Sequence, residues 1–285
     1  MATVLLQWSV GGLLFLWVTS RRREVGLGYG WLLRGTYLLL AAGGAIAGFR
    51  YGSVPIREAA ALGVAAASLA ALVVSIVRRS AGVSGASAEH DRRTERVAVM
   101  TGIDRAERAT EGRAAGKEFP PALDLVAPLV GTVGLVAAGI DAAGPGTGTM
   151  WVSLLRTLAG AAFLGAVTDA MLLGHWYLVQ PGLPRRHLNE LVRWLAWIWP
   201  VEVAALLLPT GMLSVFSGSV DDGWGGQLGW FWALCAVTTI VLVVVTRAAL
   251  RERYYSAVMA ATGLLYLAIL TAFGTDLVAR AVLDT

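Results

Sequence analysis

The chain of 285 residues has little charge, one cysteine, one lysine and three histidines. Charged residues make up 15% of it, against about 25% in an ordinary soluble domain. That shortage excludes intrinsic disorder, which needs high charge and low hydrophobicity. The lone Cys235 sits in an apolar run and cannot form an intrachain disulfide, so a disulfide scaffold is excluded. It reads as a small buried hydrophobe. No phosphate-binding Gly-rich loop with its lysine, no Cys-x-x-Cys pair and no HExxH motif occurs. Nucleotide hydrolysis and iron–sulfur ligation are therefore not expected.

What the chain has in excess is apolar surface. Hydrophobic residues reach 56% and mean hydropathy is +0.65, too much for the core of a soluble domain. A membrane-spanning helix needs about 20 mostly apolar residues. Eight runs qualify, at about 2–20, 30–49, 56–77, 122–140, 150–179, 188–208, 228–246 and 255–274. The expected fold is all-α, a polytopic membrane helical bundle in one transmembrane domain. The first run lacks a basic n-region and is followed by Arg21-Arg22-Arg23, so it reads as a retained helix.

The basic residues set the orientation. Eighteen of the 23 fall in the segments after spans one, three, five and seven, three in the alternate segments and two within spans. Basic residues accumulate on the cytoplasmic side, so both termini are expected outside. The pI near 9.6 is then a topology signal, and no nucleic-acid partner is expected. The abundance of arginine over lysine, with much alanine and glycine, fits a GC-rich bacterial genome. The expected location is a bacterial inner (cytoplasmic) membrane, crossed many times.

Residues 78–121 form a polar cytoplasmic loop with nine basic and seven acidic residues. Glu89 to Arg113 has the charge spacing of a surface helix, which reads as either a solvated linker or a docking element for a cytoplasmic partner. His90 reads as a solvated residue. In the membrane, close packing needs small residues. Ala162, Ala166, Ala170 and Gly174 recur every four residues in the fifth span, which is expected to be central.

Ionisable groups inside spans are functional candidates. Arg34 is expected to snorkel to the headgroups, and Asp124 to reach water. Arg156, Asp169 and Glu202 lie deeper and would serve an ion or proton path in a transporter or channel; otherwise they are packing groups. The densest chemistry is the turn joining spans five and six, with His175, Trp176, Tyr177, Gln180, Arg185 and His187. Antiparallel pairing there would bring the two histidines near each other. Interfacial aromatics and arginines explain much of this cluster structurally. Its functional reading is a quinone-type site at the cytoplasmic leaflet in a respiratory or redox subunit, with these side chains as donors to the head group. Haem ligation by His175 and His187 ranks below it. A metal site lacks further ligands. No catalytic residue stands out.

Overall fold

The computed structural model describes residues 1–84, 117–143, 146–180, 182–252 and 254–283. Most of the 78–121 loop, with the expected helix at Glu89 to Arg113 and His90, lies outside the described residues. Those described are helical, without a strand. In chain order they form α1 (Ala2–Ser20), α2 (Leu27–Tyr51), α3 (Pro55–Val77), α4 (Val126–Asp141), α5 (Thr147–Val179), α6 (Arg186–Leu207), a short α7 (Leu213–Phe216), α8 (Gln227–Ala249) and α9 (Tyr255–Leu283). A 3₁₀ turn, Pro121–Leu125, leads into α4.

Seven of these helices are long and apolar enough to span a membrane, as expected of a multi-pass membrane protein. The eighth expected run is α6. Arg186, His187, Asn189, Glu190, Arg193 and Glu202 give it a strongly two-sided character and keep it out of that set. The helices carry large apolar side chains outward, among them Leu39, Phe49, Leu129, Trp197, Trp230 and Leu270. Such an outer surface would aggregate in water and suits a lipid solvent.

The bundle has two ends. Met1 and Thr3 of the first segment, Ala138 and Ala142 near the end of α4, Leu206 of α6 and Leu283 of α9 meet at one, the cavity end. The turns joining α1 to α2, α5 to α6 and α8 to α9 meet at the other, the turn end, through Gln180 to Glu24 and Gly26 and through Tyr255 to Tyr177. α6 begins beside Glu24 at the turn end and finishes beside Arg156 at the cavity end.

α5 is central, packing on α1, α4, α6 and α9. Ala166, Ala170 and Gly174 of its small-residue stripe are buried, and Ala162 is partly so. The tightest seam is with α1. A Cβ on Gly11 would overlap the carbonyl of Ala161, and one on Gly165 would overlap the backbone of Gly11. Only two glycines permit that approach, the route by which membrane helices gain packing energy without a hydrophobic drive.

Arg34 and Asp124 correct the sequence expectation. Neither reaches headgroups or water. Arg34 Nε and Nη2 donate to the two carboxylate oxygens at 2.7 and 2.8 Å. Both side chains are at most 3% exposed. Ser20 donates to the same carboxylate, and the guanidinium stacks over Phe119. A bidentate pair satisfies the charges that burial would otherwise penalise. It ties α1, α2 and the start of α4 together.

Candidate functional site

At the turn end, the residues expected to meet a ligand are bonded within the protein, mostly to neighbouring turns. Gln180 accepts the amide N–H of Gly26 at 2.9 Å and the Trp176 indole N–H at 3.2 Å, and donates to the carbonyl of Glu24 at 3.1 Å. The Trp176 ring packs near Tyr29. Tyr177 donates to the carbonyl of Pro184 and its own carbonyl accepts from Tyr255. Arg185 reaches the carbonyls of Glu252 and Tyr254. His187 is buried, with Nε2 2.6 Å from Glu24, while His175 is exposed and 3.4 Å from the Tyr266 hydroxyl. The two histidines thus have separate partners on different elements.

Glu24, in the turn between α1 and α2, organises this end. It pairs with Arg186 as well as His187. Burial alone would raise its carboxyl; Arg186 and His187 outweigh that and hold it below the ordinary value. Arg21 and Arg22 flank Glu190. Arg23 bonds Glu118, which also accepts from Ser84 and, through its carbonyl, from Arg78. The last contacts fasten both described ends of the polar loop.

About two-thirds of the way along α5, Asp169 is fully buried. One carboxylate oxygen accepts from the Tyr37 hydroxyl of α2, and the other has no hydrogen-bond partner among the described residues. Tyr29 donates to the Asp169 carbonyl at 3.4 Å, and Trp8 of α1 bonds the neighbouring Thr168.

The cavity end holds the second group. Glu202, just past Pro200 in α6, is fully buried; among the described residues no N–H or O–H donates to its carboxylate oxygens, and its side chain lies within hydrogen-bonding reach of the Asp276 carboxyl. Its charged neighbours are Asp276, Arg280 and Arg156. Asp276 is also fully buried and accepts from Arg280 Nε at 3.0 and 2.9 Å. Arg280 donates onward to the carbonyl of Arg156. Arg156 donates to the carbonyls of Ala205 and Leu208 at the end of α6. Gln7 of α1 donates to the carbonyl of Thr157 at 2.6 Å. A Cβ on Gly160 would lie 2.6 Å from Arg280, 2.7 Å from Asp276 and 3.0 Å from Gln7. The bare glycine therefore leaves the space in which three polar groups from α1 and α9 converge on α5.

Beyond this group opens a cavity of about 710 Å³, lined by Met1, Thr3, Ser153, Arg156, Leu228 and Arg280 among others. The sequence reading includes Arg156, Asp169 and Glu202 and misses Gln7, Tyr37, Asp276 and Glu24. Asp276 and Arg280 had a signal, opposite charges at i,i+4, but they fell beyond the expected end of the last span at 274. α9 continues to Leu283 and carries both into the bundle.

Comparison with protein-family models, curated proteins and solved structures returns no match.

Proposed function

We propose that the chain is an eight-crossing transporter or channel of the bacterial inner membrane that moves protons or a small cation, with Glu202 and Asp276 as its binding site. The observation that carries this reading is Glu202: a fully buried carboxyl that receives no N–H or O–H donor among the described residues, within hydrogen-bonding reach of the buried Asp276 carboxyl, and close to a cavity of about 710 Å³ lined by Arg156 and Arg280. A carboxyl in such a place carries its own proton or takes up a cation, because an ionised group without donors is strongly penalised there.

In this reading the cavity admits water or a hydrated cation. Arg280 pairs with Asp276 and holds it in place. Glu202 then has the exchangeable proton or cation, and uptake relieves its repulsion with Asp276. Asp169 and Tyr37 form a further station. Asp169 lies nine residues from Gly160 on α5, about 13 Å along the axis at 1.5 Å per residue. The ion pairs of Glu24, Glu190 and Glu118 close the turn end. With α6 as the eighth crossing, α1 begins and α9 ends at the cavity end, and the positive-inside distribution assigns the turn end to the cytoplasm. Both termini are then outside.

The test is a flux assay in proteoliposomes under an imposed pH or cation gradient. Native protein is expected to conduct, and Glu202→Gln to abolish flux while the bundle stays folded. No flux in the native protein overturns the proposal.

A second reading keeps the quinone. Its support is the exposed His175 and Tyr266 pair on the outer surface of α5 and α9, where a lipid-borne head group has access. It predicts that His175→Ala loses quinone binding. Unchanged binding would sink it.

A further inference from the structure

The turn end carries a second concavity that the transport reading does not use. Its volume is about 480 Å³, and it is lined by Arg22, Arg186, Asn189, Glu190, Arg193, Arg247 and Arg251. Five arginines and one carboxylate thus face a single hollow. They arrive from three separate places: the turn after α1, the first two turns of α6, and the end of α8 with the turn beyond it.

Two of the five are engaged. Arg186 pairs with Glu24, and Arg22 lies 3.5 Å from Glu190. Arg193, Arg247 and Arg251 are exposed and have no acidic partner among the described residues. The positive-inside tendency explains why arginines sit at this end of the bundle. It does not explain why guanidinium groups from three segments converge on one hollow, where each repels the others unless an anion lies between them.

Guanidinium groups match the geometry of phosphate oxygens, donating two hydrogen bonds in one plane. The source of the phosphate follows from the surroundings. Next to the hollow, α6 exposes Trp194 and Trp197, and α8 exposes Val244 and Val245. Trp197 stands one helical turn from Arg193, and Val244 one turn from Arg247. An exposed apolar surface thus begins where the basic one stops. An amphiphile with a charged head and apolar tails fits that border; a fully soluble anion uses only half of it. Tryptophan at the border has the amphipathic character of headgroup-level residues.

We infer that this arginine-lined hollow between α6 and α8 binds the phosphate headgroup of an anionic membrane lipid, whose acyl chains lie along the exposed faces of the two helices. Basic pockets between membrane helices are suited to such headgroups. The inference does not depend on the transport reading, since it uses none of Glu202, Asp276 or Asp169.

The test is lipid retention by the purified full chain. The protein is reconstituted in nanodiscs of mixed phosphatidylglycerol, cardiolipin and phosphatidylcholine, extracted in mild detergent, and its bound lipids are identified by native mass spectrometry. The native chain is expected to keep the anionic lipids. The triple variant R193Q/R247Q/R251Q, altered only at exposed positions, is expected to hold them about tenfold or more weakly, with the same unfolding temperature as the native chain. R247Q alone serves where the triple variant does not fold, and its unchanged retention counts against the site. Equal retention in native and triple variant overturns the inference. Tight binding of inorganic pyrophosphate with no lipid preference overturns it too, in favour of a soluble anion.

Discussion

The two ends of the bundle treat buried and half-buried acid groups in opposite ways. At the turn end every carboxylate described above has a cation or a donor: Glu24 has Arg186 and His187, Glu190 has Arg21 and Arg22, and Glu118 has Arg23. At the cavity end Arg280 engages Asp276, and Glu202, just as deep, faces that carboxyl with no cation or N–H donor of its own among the described residues. The acids of the first end are paired with cations. The second holds unspent binding capacity beside open space. A saturated network resists change, while an unsatisfied carboxyl is where a protein can gain free energy by taking up a ligand.

Substitutions test that contrast directly. The largest effect is expected at Glu202 and Asp276: Glu202→Gln or Asp276→Asn should abolish flux in proteoliposomes, whereas Glu24→Gln should preserve it or add leak. Similar loss from all three would erase the distinction between the ends. Next comes the buried bidentate pair of Arg34 and Asp124. Removing either partner should cost about 3–5 kcal/mol in reversible unfolding, because one buried charge is stranded. Replacing both with apolar residues of similar volume should cost much less.

A smaller effect is expected at Gln180, whose amide makes three bonds. Gln180→Ala should destabilise by about 1–3 kcal/mol, as partners at the α1–α2 turn lose their bonds. The pH response follows from Glu24. Its carboxyl lies below the ordinary value in the folded chain, so its contribution is complete above the ordinary carboxylate range and disappears as pH falls through the folded value. Hydrogen exchange of the α1–α2 turn should therefore accelerate on acidification, and Glu24→Gln should remove that dependence. The smallest effect belongs to the partly exposed Arg23–Glu118 pair, where Arg23→Gln should change stability by no more than about 1 kcal/mol.

Hydropathy alone made the spanning helices legible, since lipid imposes the same apolar length on each of them. α6 was legible as a helix from its apolar face, though its first two turns are among the most polar in the bundle. Asp169 and Glu202 were recognisable because a charge deep in an apolar run has nowhere to hide. Pairings between distant segments were not recognisable. Arg34 and Asp124 are 90 residues apart, and each taken singly sits close enough to a span end to suggest water. Gln180, Tyr177 and His187 had the chemistry of ligand donors, but whether a donor is free depends on the backbone carbonyls and carboxylates that the fold brings alongside. Gln7 and Tyr37 are single polar residues in apolar runs and carry no signal of their own in the sequence. They gained meaning only when α1 and α2 were laid against α5.

The glycine seam between α1 and α5 has a mechanical consequence. With Gly11 and Gly165 at backbone contact, these two helices cannot slide or rotate against each other without collision, so they behave as a keel. In the transport reading, opening of the turn end leaves this pair fixed and moves the helices packed around it. Spin labels on α1 and α5 should then keep one separation under every gradient, while labels on α1 and α6 report the stroke.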